Sequence, residues 1–137
     1  MKRIVLDTNC ILMYLSRKGC YYSIWSDFFT GKYILCYTND ILEEYEEIIS
    51  MKMGNEIAQN IIKAIITRTN TLKLDAHFHF NLIKSDIDDN KFVDCAIVAN
   101  ASYIVSEDHH FEVLKTIDFP KVELIDIDTF IALLKNE

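Results

Sequence analysis

Short apolar runs, each too brief to be a helix and each alternating with a stretch of helical period, set the strongest limit on what this chain can fold into. Ile4-Val5-Leu6, Tyr33-Ile34-Leu35-Cys36-Tyr37 and Tyr103-Ile104-Val105 carry no polar alternation, which suits strands buried on both faces of a parallel sheet. Val122 to Ile125 reads as a further strand. Helical segments are expected over Thr8 to Leu15, Tyr21 to Phe29, a span opening at Thr38 or Asn39, Asn55 to Thr67, Lys91 to Ala101, His109 to Ile117 and Asp128 to Leu134. Leu72 to Asp89 is the least regular stretch and reads as a loop ending in the polar cluster Asp86, Asp88, Asp89, Asn90. Strands alternating with helices predict an α/β fold, a three-layer α/β/α sandwich around a mostly parallel sheet.

A chain of 137 residues, half of them apolar, falls within the usual size of one domain and can build one core with a covering layer. One domain over residues 1–137 is therefore expected, with no repeat, linker or low-complexity stretch. The longest apolar runs near the start, Ile4-Val5-Leu6 and Cys10 to Leu15, are split by Asp7-Thr8-Asn9, so neither a membrane helix nor a signal peptide is expected. Cys10, Cys20, Cys36 and Cys95 are widely spaced and mostly lie in apolar stretches, which reads as reduced thiols and a cytoplasmic location. The net charge of −7 argues against a simple basic clamp for nucleic acid. It leaves a nucleic-acid substrate open, because acids gathered around divalent cations can attract phosphate.

Ligands of open α/β sheets collect beyond the carboxyl ends of the strands, so acids at those ends carry more information than acids elsewhere. Asp7 directly follows Ile4-Val5-Leu6, and Asp108 closely follows Tyr103-Ile104-Val105. Each could simply cap the next helix, a role worth about 1 kcal/mol. Asp94 sits in Phe92-Val93-Asp94-Cys95-Ala96-Ile97-Val98-Ala99, apolar on nearly every side, so its carboxylate must be paired, protonated or bound to a cation. Glu43, Glu44, Glu46 and Glu47 look like one solvated run, but the apolar stripe Ile41, Tyr45, Ile48, Ile49 puts Glu44 on its margin and the others further out. Glu44 is the one placed to reach toward the sheet.

Other candidates are weaker. His77-x-His79 and His109-His110 have no partner cysteines at zinc-finger spacing. No G-x-G-x-x-G, P-loop or G-x-S-x-G occurs. Lys52, Lys63, Arg68 and Lys73 could follow a phosphate backbone or merely solubilise a surface.

Four segments taken together, Ile4-Val5-Leu6-Asp7-Thr8-Asn9, Ile41-Leu42-Glu43-Glu44-Tyr45, Asp89-Asn90-Lys91-Phe92-Val93-Asp94-Cys95-Ala96 and Ala101-Ser102-Tyr103-Ile104-Val105-Ser106-Glu107-Asp108, resemble the PIN-domain family. The resemblance spans nearly the whole chain and is greatest to bacterial and archaeal PIN proteins described as toxins of toxin–antitoxin pairs. It implies an α/β/α fold in which acids from distant segments meet in one pocket and hold Mg²⁺ or Mn²⁺. Asp7, Glu44, Asp94 and Asp108 occupy the matching positions, with Asp88 or Asp89 as a substitute for Asp94. Asn9 and Ser106 match small polar positions that steady the acids or the attacking water. Glu107 departs from the family, where Gly is frequent. The implied activity is metal-dependent hydrolysis of single-stranded or structured RNA, with a small antitoxin protein as a partner, no membrane, and a homodimer left open.

Rival readings are fewer. A haloacid-dehalogenase-type phosphatase also begins with an Asp after its first strand but wants a second acid where Asn9 stands. A receiver domain wants an acidic pair directly after that strand. A catalytically silent PIN-like interaction module could hold a partner through Tyr21-Tyr22-Ser23-Ile24-Trp25, and the intact acids argue against it.

Overall fold

The computed structural model describes residues 1–15 and 22–136. Its centre is a sheet of five strands, β1 (Arg3–Leu6), β2 (Ile34–Tyr37), β3 (Thr71–Lys73), β4 (Tyr103–Val105) and β5 (Leu124–Ile125), in the order β3-β2-β1-β4-β5. Every neighbouring pair is parallel, with Leu6 opposite Val105 and Ile4 opposite Leu35. The helices are α1 (Thr8–Leu15), α2 (Tyr22–Phe29), α3 (Asn39–Met53), α4 (Asn55–Thr67), α5 (Asn90–Ala99) and α6 (Ile127–Lys135), with 3-10 turns at Ile87–Asp89 and His109–Thr116. Chain order runs outward from β1 to β3, then returns to β4 on the other side of β1. Right-handed crossovers in opposite directions put helices on opposite faces, giving the expected α/β/α sandwich.

The unbroken apolar runs are buried as expected: Ile4, Val5, Leu6, Leu35, Cys36, Ile104 and Val105 lie in the core. α5 covers β1, β2 and β4, so its residues Phe92, Val93, Asp94, Cys95 and Ala96 are all buried. α3 follows its period, with Ile41, Tyr45 and Ile49 buried, Glu44 half-buried and Glu43, Glu46 and Glu47 exposed. Thr38 caps α3 by accepting from the Ile41 N–H. Gly54, at φ +96°, lets α4 begin at once after α3 and pack back against it.

Four expectations change. Thr71–Lys73, running into the stretch from Leu72 that reads as irregular, pairs with β2 as an edge strand. The expected helix over His109 to Ile117 is a 3-10 segment. The last helix, expected from Asp128, begins at Ile127, with Asp126 capping α6 by accepting from the Thr129 N–H. In the aromatic-rich stretch considered for a partner surface, Ile24 and Trp25 are buried, with Trp25 tilted against Phe28 and edge-on to Phe29. Arg17-Lys18-Gly19, Cys20 and Tyr21 lie outside the described residues. Cys10, Cys36 and Cys95 are buried thiols, and burial pushes Cys36 up to about 11 and Cys95 up to about 12, as suits inert core groups. Among the described residues no helix is long and apolar enough to cross a membrane.

Candidate active site

The strand order reverses between β1 and β4, and the residues that leave the carboxyl ends of these two strands meet there. The Asp7 N–H donates to the Val105 carbonyl (3.1 Å), extending the ladder by one residue and fixing Asp7 against β4. Ser106 joins the two ends: its hydroxyl donates to Asp7 Oδ2 (2.8 Å) and accepts from the Asp108 N–H (3.0 Å). Asp108 in turn accepts at Oδ1 from the His110 N–H (2.9 Å), capping the following 3-10 segment. The cap and the ligand readings of Asp108 are thus compatible, since a carboxylate oxygen that accepts one N–H keeps a lone pair for another partner.

Asp7 is only 5% exposed. Burial raises its pKa first, the Ser106 hydroxyl lowers it, and the charges of Asp108 and Glu44 raise it further. Asp89, from the 3-10 turn before α5, faces the same group: burial and the charges of Asp86, Asp108 and Asp7 push it up to about 6, against a lowering hydrogen bond from His110. Like charges assembled around a buried carboxylate cost free energy unless a cation joins them. A set of hard oxygen donors in this state fits a divalent metal ion. Among the described residues, ligand atoms converge within 4.8 Å in two overlapping groups, Asp86-Asp89-His110 and Asp108-His109-His110.

Glu44 reaches the sheet end from α3, as its place on the stripe margin predicts. Its carboxylate accepts from the Thr8 hydroxyl at the start of α1 and pairs with Lys91 Nζ (2.7 Å). The Tyr45 hydroxyl donates to the Leu6 carbonyl, tying α3 to the residue before Asp7. Asn9 is exposed in the first turn of α1.

Asp94 lines a groove whose walls also carry Glu44 and Lys91. It is buried, and its oxygens accept from the Phe80 N–H (3.1 Å) and stand 3.4 Å from His79 Nδ1. Its charge bears on Cys95, whereas the charges bearing on Asp7 come from Asp108 and Glu44. Asp94 therefore holds the segment 74–86 against α5. The groove, of about 760 Å³ between α3 and that segment, is lined as well by Asp40, Glu43, Asp75 and Asp88. Asn90 clamps the same segment, accepting from the Ile83 N–H and donating to the Ile83 carbonyl. Of the lysines and arginine considered for phosphate, Lys52, Lys63 and Lys73 are exposed. Arg68 is instead committed to the Phe29 carbonyl and ring.

Thr8, Lys91 and His110 carry no site signal in the sequence. Thr8 was visible only as part of Asp7-Thr8-Asn9, and nothing in a single chain says that its hydroxyl meets a glutamate 36 residues on. His110 lacks a zinc pattern, although it follows Asp108 by two residues, the spacing of an Asp cap and the N–H it receives.

A family model described as PIN domain matches residues 3–110. The chain belongs to the PIN-domain family. No curated protein matches its sequence. Among solved structures, it is similar to VapBC2 from Rickettsia felis bound to a DNA fragment from the promoter, at 17% identity and TM-score 0.62, covering 90% of this chain and 98% of that one. It is similar to DNA-bound VapBC from Salmonella typhimurium, at 18% identity and TM-score 0.58, covering 92% and 98%. It is also similar to the PIN domain endonuclease Utp24, at 16% identity and TM-score 0.55, covering 91% and 84%. The acids described above all fall inside the matched PIN region.

Proposed function

We propose that this PIN domain, as a single unit over residues 1–137, is a metal-dependent ribonuclease that hydrolyses phosphodiester bonds of single-stranded or structured RNA and is the toxin of a toxin–antitoxin pair. The observation that carries the reading is the buried Asp7, joined to Asp108 through Ser106 and surrounded by the charges of Glu44, Asp108 and Asp89. The toxin–antitoxin role rests on the PIN family and on the VapBC likeness, with a small protein as the expected partner. A cytoplasmic location goes with it.

Mg²⁺ or Mn²⁺ bound here supplies the activation of water and the neutralisation of phosphate charge that such hydrolysis needs. Asp7, Asp108 and Asp89 would hold it, with Glu44 closing the group from α3. Ser106 orients Asp7 by donating to Oδ2 and so leaves Oδ1 for other partners. Lys91, beside Glu44, offers a positive charge to a phosphate oxygen at the entrance of the groove. Asn9 is exposed where a phosphate or water could be positioned. Asp94 acts through the segment it anchors.

Purified protein incubated with mixed RNA and Mn²⁺ should cleave it, and chelator should stop cleavage. Asp7→Asn should lose at least about 100-fold of the rate, comparable with losing a key electrostatic group in other active sites, while melting as one cooperative unit. Full activity in that variant would sink the assignment.

A further inference from the structure

We propose that His110 contributes an imidazole nitrogen to the divalent-ion site, so that the site prefers Mn²⁺ over Mg²⁺; this rests on the metal-dependent nuclease reading. Its Nδ1 stands 3.2 Å from Asp108 Oδ1, 3.3 Å from Asp89 Oδ2 and 3.7 Å from Asp86 Oδ2. Carboxylates from two separate turns thus gather around one ring nitrogen. Neighbouring ligands of an octahedral ion with bonds near 2.1 Å lie about 3 Å apart, close to these spacings, so an ion could join the same atoms with small movements. The ring is held for the task. The His110 N–H donates to Asp108 Oδ1, and Phe111 directly behind it is fully buried, packed edge-on against Phe92 of α5. His110 is 26% exposed at its side chain, which leaves the cluster open to an ion from solution.

The competing account is that His110 is only a counter-ion, its imidazolium occupying the place of the metal. The two accounts predict opposite effects of removing the ring. As a ligand, the imidazole adds affinity, and it adds more for Mn²⁺ than for Mg²⁺, because imidazole suits transition metals whereas Mg²⁺ is served by oxygen. As a counter-ion, it competes with the metal, and its removal tightens binding.

The test is titration of the purified chain with Mn²⁺ alone, followed by electron paramagnetic resonance, with pulsed spectra of the bound ion read for nitrogen coupling. The expected result is a directly coordinated nitrogen in the wild-type spectrum. In His110→Gln that coupling should vanish and Mn²⁺ affinity should fall about tenfold or more, on the scale of losing a group that supports a metal site, with Mg²⁺ affinity falling less. Absence of nitrogen coupling in wild type, or unchanged or tighter Mn²⁺ binding in His110→Gln, overturns the proposal. If binding is lost in Asp7→Asn but kept in His110→Gln, the nuclease reading survives and the nitrogen ligand does not. No Mn²⁺ binding by wild type at millimolar concentration overturns both. Should His110→Gln fail to fold, as judged by its melting in chelator, the wild-type spectrum alone decides.

Discussion

Asp89 and Asp94 lie five residues apart at the start of one helix, and their surroundings give them different work. Asp94 is buried and serves a main-chain N–H of the segment 74–86, whereas Asp89 shares its surroundings with Asp7, Asp86 and Asp108. Replacing each by Asn should therefore separate metal binding from stability. Asp89→Asn should lose metal-dependent cleavage and Mn²⁺ binding. Asp94→Asn should keep measurable Mn²⁺ binding and instead lower the stability read from urea denaturation, by about 1–3 kcal/mol for a buried charged acceptor replaced by a neutral one. Loss of Mn²⁺ binding in Asp94→Asn with stability unchanged would reverse the assignment. The sequence alone could say that Asp94 is buried, because apolar residues surround it on every side of the helix. It could not say into which cavity the carboxylate opens, since that depends on where residues 74–86 run, and that stretch has no periodicity to read.

Protonation at Asp89 gives a second residue-scale expectation. Its pKa is raised to about 6 in the folded chain from an ordinary 3.8, chiefly by burial. Between about pH 4 and pH 6 the folded state holds more of this proton than the unfolded state does, so stability falls as pH rises through that window and the whole penalty is present above it. In chelator at pH 7, Asp89→Asn should accordingly melt above wild type, and its advantage should shrink as pH is lowered through 6 towards 4. Thermal melts at pH 7, 6, 5 and 4 give the comparison. An advantage that stays constant or grows on acidification would show that the Asp89 carboxylate carries no such penalty.

Element by element, what was legible in the sequence is what burial on both faces imposes. β1, β2 and β4 are uninterrupted apolar runs because α/β layers cover both sides of them. β3 escaped notice because an edge strand of three residues with half-exposed side chains, Thr71-Leu72-Lys73, carries neither a run nor an alternation. The placement of Glu44 was readable for a related reason: α3 is long enough for its period to separate Glu44 from Glu43, Glu46 and Glu47. What fixes α3 to the sheet was not readable. The Tyr45 hydroxyl donates to the Leu6 carbonyl, a bond between a helix stripe and a strand end 39 residues apart. Tyr45→Phe keeps the ring in the core and removes only this donor, leaving a buried carbonyl short of a partner. Stability should fall by about 1–2 kcal/mol in urea denaturation, and cleavage should fall several-fold as Glu44 loses its register with Asp7. Unchanged cleavage with the expected stability loss would show that α3 is held in place by packing alone.

At the scale of the whole molecule, net charge and topology pull in opposite directions. The chain carries a charge of −7, and its strand order gathers Asp7, Asp89 and Asp108 at the single place where crossovers diverge, between β1 and β4. In the absence of an ion, both facts oppose compactness and repel a polyanion. Adding Mn²⁺ should relieve the local repulsion specifically, stabilising the fold as RT ln(1 + [L]/Kd), about 2.7 kcal/mol at a hundredfold excess over Kd. For a domain of this size that corresponds to a rise in Tm of roughly 10 °C. General screening of seven excess charges would also raise Tm, so the melt must be repeated with NaCl at matched ionic strength, where exposed charges are screened equally and no ligand is supplied. The rise should exceed that in NaCl and be absent in Asp89→Asn, and Ca²⁺, another hard oxygen-seeking cation with no liking for imidazole, should give less of it than Mn²⁺. A rise that NaCl reproduces, or that survives the loss of Asp89, would mean the acids at the sheet edge share no ion.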